Sequence, residues 1–353
     1  MSRFRIEALS GLQPYVPGEQ LNETVIKLNT NENPYPPSKA VLDAINSNEI
    51  EKLKLYSDPS AHDLRMALAK TYGLKPTQIF TGNGSDEVLG FAFMAFGDKK
   101  VTFPKVSYGF YKVFAQLFRI PTMQVPLNDD FSLPIAPFAN ANSFVVIANP
   151  NAPTSLSAPL EGIEEIIKGN ADNVVIIDEA YIDFGGESAI PLLEKYENLL
   201  VVRTFSKSRS LAGARIGYAM GNEALIADLD AVRNSFHPYN INRLSLLAGV
   251  AALSDVEYFE HCLKQIIDVR EETTTALREL GFEVLNSSTN FLFVSHKQLS
   301  GTQYYKKLRE YGVLIRHWGS PELENYVRIS IGTREEMKKL IEITKILLMA
   351  KPD

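Results

Sequence analysis

At 353 residues the chain exceeds the roughly 150 of a typical domain, so one large and one small folding unit with ample apolar core are expected. Hydrophobic residues at 45% and charged residues at 22% are the proportions of a folded globular protein, which sets aside a disordered chain. A net charge of −6, from 36 basic and 42 acidic residues with no dense Lys/Arg tract, sets aside a nucleic-acid partner.

The opening stretch MSRFRIEALSGLQPYVPGEQ has no apolar signal core, and no run approaches the ~18 apolar residues of a membrane span, so a cytoplasmic protein with no membrane partner is expected. Cys262 is the only cysteine, which leaves no internal disulfide and no cysteine-based metal site. In the helical-looking YFEHCLKQI it reads as a packed core thiol. His62, His237, His261, His296 and His317 show no ligand spacing, and no metal is assigned.

In chain order, the Pro-rich LNTNENPYPPS is a loop by its turn chemistry, with asparagines and a tyrosine that can line a cleft. From about residue 75 to 220, β-rich runs alternate with helical patterns: QIFTG, KKVTFP, SFVVIANP, NVVIIDEA, LLVVRTFS and ARIGYAM. This predicts an α/β fold with a mostly parallel sheet between layers of helices. SFVVIANP and NVVIIDEA are unbroken apolar runs, as strands covered on both faces should be. Polar residues at their C-terminal ends therefore point to a site. Residues 222 to 280 read as helical, and EVLNSSTNFLFV, GVLIRHW and NYVRISIGT as short strands of a smaller α+β unit closed by the helix TREEMKKLIEITKILLMA. The expected division is an N-terminal arm over 1–30, a large unit over 31–240 and a small unit over 241–353.

Three segments carry chemistry. GNGSDEVLGFAF follows a strand and enters a helix, which puts Gly84, Ser85 and Asp86 at a helix N-terminus, where free N–H groups can bind an anion. It is not the dinucleotide fingerprint, because position 87 is Glu. NVVIIDEAYIDF ends a buried strand on Asp178, with Tyr181 three residues on. An Asp there can be structural, but a buried carboxylate needs a partner, and a protonated pyridine nitrogen is a suitable one. VVRTFSKSRSLAGARIGY places Lys207 just after a strand, beside Ser206 and eight residues before Arg215. Alone, such a lysine is a surface residue. Beside hydroxyls and an Arg that suit a phosphate, its amine can form a Schiff base.

These segments, in this order, resemble the pyridoxal 5′-phosphate-dependent aspartate-aminotransferase superfamily over nearly the whole chain. Within it the similarity is to the histidinol-phosphate aminotransferase family, carried by PYVPG at 14 to 18, LNTNENPYPPS, LYSDP, TGNGSDE, PKVSYGFY, DEAYIDF, TFSKSRSLAGARIGY and YVRISIGT. The resemblance implies pyridoxal 5′-phosphate as cofactor, with Lys207 as the Schiff-base lysine, Asp178 on the ring nitrogen and Tyr181 on the ring hydroxyl. It implies Gly84, Ser85, Asp86, Thr204, Ser206 and Arg215 around the phosphate, Tyr108 stacked on the ring, and Tyr56 reaching in from the second subunit of a homodimer. It implies Tyr15, Asn31, Arg316 and Arg328 on the substrate side, where guanidinium forks suit phosphate and carboxylate alike.

One departure stands out. The family reads NPNNPTG where this chain reads NPNAPTS, so the asparagine expected at the ring hydroxyl falls at Ala152. Either Asn151 turns in, or Tyr181 serves the hydroxyl alone. The implied reaction is a ping-pong transfer of the amino group of histidinol phosphate to 2-oxoglutarate through a Schiff base on Lys207, whose freed amine acts as general base. A related aromatic aminotransferase, a phospho-amino-acid decarboxylase and a catalytically silent binding protein on the same fold remain alternatives at this point.

Overall fold

A computed structural model describes residues 4, 6, 9, 11–20 and 25–349. Parts of the expected N-terminal arm, and the last four residues, lie outside the described residues. Thirteen strands are present among the described residues, numbered in chain order. β1 (Ile26–Lys27) pairs in parallel with β11 (Val313–Leu314). The main sheet holds β2 (Ile79–Gly82), β3 (Val101–Pro104), β4 (Thr122–Val125), β5 (Phe144–Ala148), β6 (Val175–Asp178), β7 (Leu199–Thr204) and β8 (Gly217–Gly221), in the order β2-β8-β7-β6-β5-β3-β4. β8 alone runs against its neighbours, so six strands are parallel. The expected α/β class and mostly parallel sheet are as observed.

The unbroken apolar runs follow from that sheet. Alternate side chains leave a strand on opposite faces. Val145, Ile147, Val175, Ile177, Leu199 and Val201 enter one core, while Phe144, Val146, Ile176, Leu200 and Val202 enter the other. Helices cover both faces, so neither set can be polar. β4, which the strand reading had not picked out, is an edge strand with only Val125 buried, and TMQV carries little pattern.

The second sheet is antiparallel and takes the order β12-β13-β10-β9, from β9 (Phe282–Val284), β10 (Phe291–His296), β12 (Arg316–His317) and β13 (Tyr326–Ser330). Two expected strands divide here. EVLNSSTNFLFV becomes β9 and β10, and GVLIRHW becomes β11, on β1, and β12, on β13. The helical stretch after 222 holds Glu223–Phe236, Arg243–Ser254 and Val256–Glu279, and the chain's last described element is the helix Arg334–Met349.

Register decides where chemistry gathers. Ala148 lies opposite Asp178, Asp178 opposite Val202, and Thr204 and Gly82 both opposite Gly217. The C-terminal ends of β2, β5, β6 and β7 therefore share one edge with the start of β8, and the small sheet sits across a cavity of about 300 Å³ from it.

Candidate active site

Lys207 leaves the turn after β7, and that turn is held from three sides. Asn33 Nδ2 donates to the carbonyls of Lys207 and Ser208, each at 3.2 Å, and the Ser208 hydroxyl donates to Asp183 at 2.5 Å. The Lys207 ammonium donates to the Thr30 carbonyl at 3.1 Å, and among the described residues no carboxylate is ion-paired with it. Burial, followed by repulsion from Arg328, brings its pKa down to about 8, although Glu32 and Asp86 oppose the shift.

Asp178 closes the floor of the cavity and is buried. It accepts from the Tyr111 hydroxyl at 2.7 Å and from the Ala180 amide at 3.2 Å, and no cation pairs with it among the described residues. Burial pushes its carboxyl up to about 6 despite both hydrogen bonds. Tyr181 stands beside it with its hydroxyl oxygen accepting from Asn31 Nδ2 at 3.0 Å, which leaves the tyrosine's own proton to donate. Asn31 is fixed in turn by Ser330, whose hydroxyl lies 2.9 Å from Asn31 Oδ1 and 2.8 Å from its amide nitrogen.

An anion cup lies across from Asp178. Gly84 has φ +85° and precedes the helix Ser85–Phe96, whose first N–H groups have no acceptor within the helix. A Cβ on Gly84 would come within 2.5 Å of Arg215 Nη2, and one on Gly217 would run into the Ser85 amide nitrogen. Only glycines let the strand, the turn and the arginine meet so closely. Arg215 Nη2 donates to Asp86 at 3.0 Å, and the Thr204 and Ser206 hydroxyls, 3.0 Å apart, complete the rim. The Tyr108 hydroxyl donates to Asp86 at 2.7 Å, so its ring is anchored with a face along the cavity. Burial, then the nearby Asp86 charge, raises that hydroxyl's pKa well above its ordinary value.

The outer wall is cationic. Arg316 Nη2 donates to the Val16 carbonyl at 3.1 Å, and Arg328 Nη2 to the Asn29 carbonyl at 2.9 Å. Neither has a carboxylate partner among the described residues, and Arg328 Nε is buried with no acceptor. Burial lowers the Arg328 pKa. Tyr15 joins this wall, stacked on Phe110 with centroids 4.5 Å apart.

Most of the residues expected from the sequence thus line one cavity; Gly84 is not itself in the lining but stands against Arg215, and two others are directed elsewhere. Asn151 is turned away. Its two amide protons go to the Val106 carbonyl at 3.1 Å and Thr154 Oγ1 at 2.9 Å, and its oxygen accepts from Ser107 at 2.9 Å, while Ala152 faces the cavity instead. Tyr56 is 80% exposed and stacks on Tyr239 at 4.5 Å, in a separate surface hollow. Tyr111 and Trp318 are site residues that the sequence reading passed over. Tyr111 is one aromatic among several in FYKVFAQLF and Trp318 stands in the polar RHWGSPE, and only the position of Asp178 and of the two arginines gives them a task.

The family model for aminotransferase class I and II matches residues 23–343. The histidinol-phosphate aminotransferase of Brachyspira hyodysenteriae is 48% identical over 352 residues, covering 99% of each chain, and that of Chromohalobacter salexigens is 48% identical over 97% of this chain and 98% of its own. The crystal structure of histidinol-phosphate aminotransferase from Sinorhizobium meliloti in complex with pyridoxal 5′-phosphate superposes with a TM-score of 0.86 at 26% identity, covering 98% of this chain and 99% of that one. A lysine and a buried carboxylate lining one cavity at the edge of such a sheet agree with these likenesses: the chain belongs to the class I and II aminotransferases, among the histidinol-phosphate aminotransferases.

Proposed function

We propose that the enzyme transfers the amino group of histidinol phosphate to 2-oxoglutarate, a step of histidine biosynthesis in the cytoplasm, with pyridoxal 5′-phosphate held at Lys207. The observation that carries this reading is one cavity holding a lysine with a pKa of about 8, a buried carboxylate without a cation and two arginines without a carboxylate. That donor set fits the cofactor. Asp178 has acceptor capacity left for a protonated ring nitrogen, and a cation there would bring its pKa back toward the ordinary range. Tyr181 keeps a proton for the ring hydroxyl, which with Asn151 turned away is served by Tyr181 alone. The amides of Ser85 and Asp86, the hydroxyls of Thr204 and Ser206, and Arg215 suit a phosphate.

When bound, the cofactor supplies an electron sink for the pair left as a substrate C–H bond breaks. The remaining work belongs to the chain. Burial holds the Lys207 pKa down at about 8, so Nζ gives up its own proton readily, and as a free amine it would take the proton from the substrate's Cα and return it to the carbon on the far side of the substrate nitrogen. Tyr108 offers a flat face to the cofactor ring, and Asn31 acts by orienting Tyr181. Arg316 and Arg328, with Tyr15 beside them, hold the anionic end of each substrate in turn.

The same reading pairs two copies of the chain, with Tyr56 of one reaching the phosphate cup of the other, which its exposure outside its own cavity supports. It also divides the chain into an arm, a large unit and a small unit. The expected boundary is near 240; the packing of Ala248, Ala252 and Leu253 with side chains of the main sheet favours one somewhat later, near Asp255, which ends one helix and caps the next.

The test is direct. Enzyme loaded with pyridoxal 5′-phosphate is expected to form glutamate from 2-oxoglutarate with histidinol phosphate as donor, far faster than with phenylalanine or phosphothreonine. Borohydride reduction should add cofactor mass to the peptide carrying Lys207. No glutamate from any donor, or no mass on that peptide, overturns the reading.

A further inference from the structure

Arg316 and Arg328 stand directly opposite each other on β12 and β13. Like charges in cross-strand register repel, and no carboxylate among the described residues relieves this pair. Both guanidiniums approach Trp318, the only tryptophan of the chain. The guanidinium carbon of Arg316 is 5.8 Å and that of Arg328 5.5 Å from its ring centroid. An indole face is electron-rich and attracts both cations at such distances. The ring is itself held, since Phe293 packs against it at 6.4 Å and is stacked on Tyr326 at 4.7 Å. Arg328 has a second aromatic neighbour in Phe291, at 5.3 Å, so Trp318 and Phe291 both border its guanidinium while Nε has no acceptor among the described residues.

We propose that Trp318 is a positioning residue for the substrate anion, holding Arg316 and Arg328 side by side as one clamp, and that it thereby sets the preference for a phosphate monoester over a carboxylate. This rests on the aminotransferase reading above. A phosphate dianion presents three oxygens and engages both guanidinium forks at once, so it needs them side by side, whereas each carboxylate of 2-oxoglutarate is satisfied by a single fork. Loosening the clamp therefore penalises the phosphorylated substrate more than the keto acid. Arg316 depends on the indole more than Arg328 does, because its other contacts are two backbone carbonyls of the arm, from Val16 and Pro17.

Trp318→Leu keeps an apolar side chain, though a smaller one, and removes the indole. In the holoenzyme it is expected to raise KM for the phosphorylated donor about tenfold and for 2-oxoglutarate only two- to threefold, with kcat little changed; Trp318→Phe, with a weaker face, should recover much of the loss. A merely structural role would lower kcat or cofactor affinity and would not separate the two substrates. The sole tryptophan gives a second readout. Emission of the cofactor-saturated wild type should change on titration with inorganic phosphate, and the change should vanish in Arg328→Ala. Equal KM shifts for both substrates, or none, together with emission indifferent to phosphate, overturn the proposal. The emission arm needs no turnover, so failure of the clamp and failure of the aminotransferase reading are told apart.

Discussion

A carboxylate buried without a cation costs the fold stability, and Asp178 is such a group. Its folded pKa of about 6 exceeds the ordinary 3.8, so between those values the native state binds more protons than the unfolded one. Stability of the cofactor-free protein therefore falls as pH rises through that window, and by pH 7 the loss reaches about 3 kcal/mol at most. Asp178→Asn keeps the shape and an acceptor for Tyr111 and removes the charge. In calorimetry the cofactor-free variant should melt above the wild type at pH 7 and match it near pH 4, while its cofactor affinity falls roughly 10- to 100-fold from loss of a charge-assisted hydrogen bond. A variant less stable than wild type at pH 7 would show that Asp178 is satisfied without the cofactor. The residues the sequence revealed, Asp178, Lys207 and Arg215, are charged groups at strand ends where charge needs a reason. Tyr111 gave no such signal. Its hydroxyl acquires meaning only once burial beside Asp178 forbids it water. Asn151 misled for the opposite reason: an amide fits many partners, and three nearer ones claim it.

At the scale of elements, legibility follows burial. β5, β6 and β7 are fully buried and read as unbroken apolar runs, whereas β4 at the sheet's edge left no pattern. The division of GVLIRHW into β11 and β12 was invisible because a two-residue ladder is set by its partners, β1 and β13, and not by its own sequence. The close approach of β8 to the helix Ser85–Phe96 was equally hidden, since a glycine in ARIGYAM looks like any other. Position 217 has no room for a methyl group, because the Ser85 amide and the Gly84 carbonyl group lie there. Gly217→Ala must push the helix N-terminus away from the cup. It is expected to lower stability by about 1–3 kcal/mol and to weaken cofactor binding, with free phosphate competing less well for the cup than in the wild type. Equilibrium titration of the cofactor and thermal melts read both effects, and wild-type values in each would mean the helix yields without moving its amides.

For the whole molecule, the described chain leaves apolar side chains in water on one side: Leu53, Leu55, Tyr56 and Tyr239 line a shallow hollow and are 50%, 57%, 80% and 41% exposed. If two copies pair as proposed, a symmetric contact through this hollow would take that surface out of water on both chains. Neither the hollow nor the stacked Tyr56–Tyr239 pair reaches the Lys207 cavity of its own chain, so a role for the Tyr56 hydroxyl at the phosphate requires a second chain. Complementation tests that requirement. A Tyr56→Phe chain retains Lys207 but offers its partner no hydroxyl, and a Lys207→Ala chain does the reverse. When the two are refolded together, random pairing makes half the dimers mixed, each with one site that has both groups, so roughly a quarter of all sites are whole. Turnover of the mixture should therefore rise above the sum of the separate variants toward that fraction, and the cofactor affinity of those sites should return to the wild-type value. Simple additivity of the two variants' activities at every mixing ratio would mean that each site is built from one chain and that Tyr56 serves only the contact face.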